Sequence, residues 1–183
     1  ARFFLVAHPN SNALTRRVMK KYTLPLFLIL GAISLRVLRH FGYIDLPPNF
    51  APVTAIALFA GTYLRDRRLA IIIPLAAMVA SDFFIGFYNI YVLIAVYASF
   101  ALAGLLGFWI RSRKSVARTV VGTLCASVLF FIITNASVWL FSGMYPVTFA
   151  GLVQSYTLAL PFFRSTLASD ILYVGILFCL YEA

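Results

Sequence analysis

Two aspartates stand out because of where they sit. Asp82 follows the uncharged run Leu69–Ser81, and Asp170 is the sole charge between Ser165 and Tyr181. An ionisable group inside an apolar segment is costly and marks a functional candidate. Asn135 lies in a third uncharged stretch, and its amide can both donate and accept. Trp139 follows one helical turn later, Tyr145 comes soon after, and Arg164 stands just before the segment of Asp170. The chemistry open to this set is recognition. Carboxylates take donors or a cation, the amide holds either kind of partner, and the rings stack on a planar molecule. With Asn49, a polar residue in the proline-rich stretch Leu46–Pro52, they form the candidate substrate-binding set: Asp82, Asn135, Trp139, Asp170, Arg164, Asn49 and Tyr145. The competing reading is architectural. Arg164 would pair with Asp170 or Asp82, and Asn135 would bridge helices as polar glue.

Signatures of catalysis are missing from the sequence. It has no glycine-rich phosphate loop, no HExxH and no GxSxG. His8 and His40 lie outside the long apolar runs, and Cys125 and Cys179 form no CxxC or Cys/His cluster. The expectation is a protein that is not an enzyme and holds neither metal nor cofactor. An intramembrane enzyme would require Asp82 and Asp170 to meet as a catalytic pair. A soluble ATPase has no room in the loops.

The elements that carry these residues follow from composition. Of 183 residues, 63% are hydrophobic and 11% charged. A soluble domain has about a quarter charged, so an ordinary soluble fold is excluded. A bilayer-spanning helix needs about 20 mostly apolar residues. Candidate spans begin at Tyr22, Leu46, Leu69, Ile90, Thr119 and Ser165. Val147–Leu160 reads as an interfacial or re-entrant helix, with seven spans as the alternative if 147–163 crosses. Runs such as Ile71-Ile72-Ile73-Pro74-Leu75 lack the period-two alternation of membrane barrel strands. The fold class is therefore an all-α integral membrane protein, a six-transmembrane-helix bundle. Residues 19–183 form its single domain, and 1–18 are a leader or extension.

The formal charge of +10 is arranged, not scattered. Arg16, Arg17, Lys20 and Lys21 precede the first span. Arg65, Arg67 and Arg68 follow the second, and Arg111, Arg113, Lys114 and Arg118 follow the fourth. These clusters are two crossings apart, so all fall on one side. The positive-inside rule makes that side the cytoplasm and puts the N-terminus there. Arg36 and Arg39, at the outer end of span one, dissent. The basic excess then points to the lipid bilayer and its anionic headgroups as partner, not to nucleic acid. At about 1.5 Å per residue, Asp82 lies roughly 20 Å and Asn135 roughly 24 Å from the basic side, with Asp170 roughly 9 Å below Arg164. All fall in the outer half. Small residues at four-residue spacing, Ala51/Ala55, Ala57/Gly61, Ala76/Ala80 and Ser99/Ala103, would let helices approach closely or would meet a partner subunit.

Asn49-Phe-Ala-Pro-Val-Thr-Ala-Ile-Ala-Leu-Phe-Ala-Gly61, Ser81-Asp82-Phe-Phe-Ile-Gly86, Phe130-Phe-Ile-Ile-Thr-Asn135, Trp139, Tyr145-Pro146 and Ala159-Leu-Pro-Phe-Phe-Arg164 with Asp170 resemble an uncharacterised group of bacterial membrane proteins. That group is similar to the substrate-binding (S) components of energy-coupling factor (ECF) transporters. The resemblance implies a compact six-helix protein of the bacterial cytoplasmic membrane. It would capture a micronutrient at its outer face, and a separate transmembrane coupling subunit and ATPases would drive release. The alternative is a non-catalytic accessory subunit of a larger membrane complex.

Overall fold

The computed structural model describes residues 11–64 and 66–182, with side chains from residue 23 onward. They form six helices: α1 (Ser11–His40), α2 (Val53–Tyr63), α3 (Leu69–Ile85), α4 (Ile90–Ser112), α5 (Val116–Phe141) and α6 (Phe149–Glu182). Segments in α1, α4, α5 and α6 are long and apolar enough to cross a membrane. Helix α1 begins at Ser11, so it runs without a break from the expected leader into the first span. The rest of that leader lies outside the described residues.

Two elements differ from the sequence reading. The second span, expected from Leu46 to Leu64, is helical only over the 11 residues of α2. Pro47, Pro48 and Pro52 lack the N–H a helix interior needs, and Asn49 turns the chain with a left-handed φ of 61°. The second difference is at the end of the chain. Val147–Leu160 is not a separate interfacial helix but the first half of a single 34-residue α6 that runs through Pro161. Its first half is fastened along α5. Tyr156 Oη donates to the Ile132 carbonyl at 2.7 Å, and Ser155 Oγ to the Asn135 carbonyl at 3.3 Å.

Short α2 is the hub of the bundle and touches all five other helices. Its residues Val53–Thr62 are all buried. Small side chains make this possible. A Cβ added to Gly61 would stand 2.3 Å from the Gly104 carbonyl oxygen, and one added to Gly107 would stand 2.5 Å from that of Leu58. Backbone therefore meets backbone where α2 crosses α4, the close approach that small residues permit. The Ala57/Gly61 pair foreseen in the sequence is used here, inside the bundle. Ala70, Ile73, Ala77 and Met78 of α3 and Phe100 and Ala103 of α4 complete the core around it.

The helix ends are fixed locally. Asn89 accepts from the Tyr91 and Val92 amides at the start of α4, and its Nδ2 donates to the Phe141 carbonyl at 2.8 Å. This cap satisfies orphan donors and ties the α3–α4 turn to the end of α5. Ser115 caps α5 by accepting from the Arg118 amide. At the opposite pole, Arg111 Nη1 donates to the Leu64 carbonyl at 2.8 Å, and Lys114 Nζ stands 4.2 Å above the Tyr63 ring. Arg67, Arg68, Arg111, Arg113, Lys114 and Arg118 thus gather at one pole. The turns 41–52, 86–89 and 142–148 gather at the other.

Candidate functional site

Helix α3 carries Asp82 in its last turn, with its side chain 1% exposed. Its Oδ1 receives Arg36 Nη2 from α1 at 2.5 Å, and its Oδ2 receives the Tyr97 hydroxyl from α4 at 2.9 Å. The partner is therefore Arg36, not Arg164. Arg36 does not reach out to the membrane surface but turns inward, where its charge is cancelled. Arg39 is also occupied, with Nε donating to the Leu46 carbonyl at 2.9 Å. Both exceptions to the charge asymmetry are thus absorbed by the structure.

Helix α6 carries Asp170, also 1% exposed. Ser127 Oγ of α5 donates to its Oδ2 at 2.6 Å, and the Thr54 hydroxyl of α2 sits beside the same carboxyl. Its Oδ1 has no hydrogen-bond partner among the described residues. Across the same space, Arg36 Nε is buried and likewise unpartnered. Buried polar atoms are nearly always satisfied, so an orphan donor and an orphan acceptor on two residues that line one space call for an occupant that supplies the complement.

That space is a cavity of about 250 Å³ to which all six helices contribute. Arg36, Thr54, Thr166, Asp170, Asn49 and Tyr88 are its polar lining; Val96, Phe100 and Phe130 are among its apolar lining. It lies towards the pole away from the basic clusters, since it is bounded by the residues before α2 and after α3. The proline-rich segment forms its rim and is held down by α6: Ser165 Oγ donates to the Pro48 carbonyl at 2.6 Å and Ser169 Oγ to that of Ala51 at 3.1 Å. Phe50 adds an edge contact with Tyr173.

Of the residues singled out in the sequence, Asp170 and Asn49 line this cavity, and Asp82 stands directly behind Arg36. The others lie elsewhere. Asn135 is at the α5–α6 seam, its Nδ2 returned to the Phe131 carbonyl at 2.8 Å. Trp139 Nε1 donates to the Pro146 carbonyl at 3.1 Å and closes the α5–α6 turn that contains Tyr145. Arg164 is exposed on α6 and makes no ion pair among the described residues. The two aspartates have separate partners and are not bridged to each other. The sequence reading missed Arg36, Thr54, Tyr97, Ser127, Phe100 and Phe130. The signal for Arg36 was present, as a basic residue in the last turns of a span at the wrong pole. Ser127 and Thr54 carried none, because a hydroxyl in a membrane helix usually satisfies itself on its own backbone.

A larger groove of about 520 Å³ lies at the basic pole between α5 and α6. Its lining is mainly apolar, including Val120, Leu124, Val174 and Phe178. Of its polar lining residues, Tyr63 and Glu182 are hydrogen-bonded to each other, and Lys114 stands over the Tyr63 ring. It offers no unpartnered buried polar atom, so the smaller cavity is the better candidate site. Among the described residues no group of three or more His, Cys, Asp or Glu could hold a metal ion.

No curated protein and no solved structure matches the chain. One family model does, over residues 16–183, and it contains every residue of the cavity. The chain belongs to that family, a family of unknown function (DUF6580).

Proposed function

We propose that this protein is the solute-binding component of a membrane transporter. It captures a small molecule in the cavity between Arg36 and Asp170 and relies on other subunits for energy. The observation that carries this reading is the pair of unpartnered polar atoms, Arg36 Nε and Asp170 Oδ1, on two residues that line one cavity. A protein that only holds other subunits together has no use for two costly orphan groups in a void. The apolar wall with a few convergent polar groups is the usual make-up of a small-molecule site. The basic pole faces the cytoplasm by the positive-inside rule, so the cavity opens towards the outside of the bacterial cytoplasmic membrane. The resemblance to S components of ECF transporters supports the same reading. It supplies a transmembrane coupling subunit and ATPases as partners and a micronutrient as cargo.

The Gly61 position meets α4 inside the bundle and so is not free to meet a partner subunit. Native mass spectrometry of the detergent-purified chain with a panel of vitamins tests the proposal. One adduct is expected, and it should vanish in the cavity-filling variant Val96→Phe. No adduct with any panel member, or an adduct indifferent to Val96→Phe, sinks it.

A further inference from the structure

The buried groups around the cavity do not balance in charge. Arg36 contributes one positive charge and Asp82 one negative, and the two are spent on each other at 2.5 Å. Asp170 adds a second carboxyl, and no cationic side chain among the described residues pairs with it. Arg39 is held by the Leu46 carbonyl, Arg164 is exposed, and the other titratable groups near the cavity are the phenols of Tyr88 and Tyr97. Ser127 gives Asp170 a hydroxyl and Thr54 stands beside it, but neither brings a charge. An ionised carboxylate taken out of water without a counter-charge costs several kcal/mol. A proton or the positive end of a bound molecule relieves that cost, so Asp170 is the point on the cavity wall where a cation can be received.

The rest of the wall narrows the occupant further. Phe100 and Phe130 lie side by side with ring centroids 5.2 Å apart, and both line the cavity. Ring faces attract a cation as well as an apolar body. Arg36 Nε is the guanidinium nitrogen left without a partner, since Nη1 donates to Met78 Sδ and Nη2 to Asp82. The volume of about 250 Å³ matches about eight waters at their liquid spacing, which limits the occupant to one small ring with short substituents.

Resting on the solute-binding reading above, we propose that the ligand is a small organic monocation with an aromatic or other apolar body. Its positive end seats on Asp170 Oδ1, and a hydrogen-bond acceptor at its other end takes the Arg36 Nε proton.

Three near-isosteric pyridines test this in the full-length, detergent-purified chain by equilibrium dialysis: 4-(aminomethyl)pyridine as the cation, 4-pyridinemethanol as the neutral form and isonicotinate as the anion. A charge-assisted hydrogen bond exceeds a neutral one by enough to favour the cation by about tenfold. Asp170→Asn should erase that preference. Equal binding of cation and neutral probe, preference for the anion, or a cation preference that survives Asp170→Asn overturns the monocation assignment. A vitamin adduct in the presence of any of those results leaves solute binding intact, so the two failures are distinguishable. Should Asp170→Asn fail to accumulate, the ranking of the three probes on the unmodified chain decides alone. Binding of none of the three overturns the assignment too, and the cavity is then one that holds water with a proton on Asp170.

Discussion

Replacing Gly61 by Ala adds one methyl group at the point where α2 and α4 touch. The new Cβ would lie 2.3 Å from the Gly104 carbonyl oxygen and 2.9 Å from Gly107 Cα, both rigid backbone. Ordinary contact requires the two helices to part by about 1 Å. Inserting a methyl into a close-packed interior costs about 1–3 kcal/mol. In a chain of this size each kcal/mol lowers the unfolding midpoint by about 2–4 °C, so a drop of roughly 2–12 °C is expected. Gly31 and Gly175 are the controls. A Cβ at either meets nothing within 4 Å, and both sit in helices. Gly31→Ala and Gly175→Ala should be neutral or stabilise by up to about 1 kcal/mol, the difference in helix propensity. Thermal unfolding in detergent, followed by tryptophan fluorescence, reads all three. Gly107→Ala should behave like Gly61→Ala, and the double variant should lose less than the two losses added, because the first methyl has already parted the helices. An unfolding midpoint for Gly61→Ala equal to that of Gly31→Ala would refute the backbone-contact account of the α2–α4 crossing.

Three other outcomes follow from the structure. Asp82→Asn strands Arg36 as an unpaired buried cation and should cost about 3–5 kcal/mol, whereas Arg36→Met with Asp82→Leu should recover most of that loss; equal midpoints for the single and double variants in the same unfolding assay would count against the pairing. Asn89→Ala removes both the α4 cap and the link to Phe141, for a loss of about 1–2 kcal/mol in that assay, and no loss would argue against the tie between those turns. With Cys125 and Cys179 replaced by Ser, Arg113→Cys and Met144→Cys should react with an impermeant maleimide from opposite faces of sealed inverted and right-side-out vesicles; labelling from one face would contradict the placement of the two poles.

Much of the architecture was legible because the hydrocarbon core imposes simple length and charge rules. Ile90 was identified as the start of a helix from the turn residues before it, and α4 begins there. The depth estimate placed Asp82 and Asp170 at similar heights; Asp170 lines the cavity and Asp82 stands behind the Arg36 that also lines it. What the sequence hid were contacts between segments distant along the chain. Arg36 and Asp82 are 46 positions apart, and nothing local says that an arginine near a helix end will turn inward. Asn135 and Trp139 looked like ligand contacts because polar and aromatic groups in a span invite that reading. Their hydrogen bonds go instead to the α5–α6 seam and turn. The sequence reading divides the last segment between Leu160 and Ser165, but bonds from Ser155 and Tyr156 to α5 hold the first half of α6 in line with the rest.

The inequality of the helices has a consequence for the surrounding lipid. Helix α3, with 17 residues, is about 26 Å long, and α6, with 34, is about 51 Å. They share no contact and occupy different flanks of the hub, which itself needs no lipid because it is enclosed. The hydrocarbon layer is about 30 Å thick on average, so α3 spans it only at the short end of the range and without much tilt. The apolar run of α6 is interrupted by Arg164, and the helix carries its surplus length beyond the hydrocarbon, into the headgroups and water. Acyl-chain length thus becomes a variable that acts on the fold from outside, with long chains straining the α3 flank first.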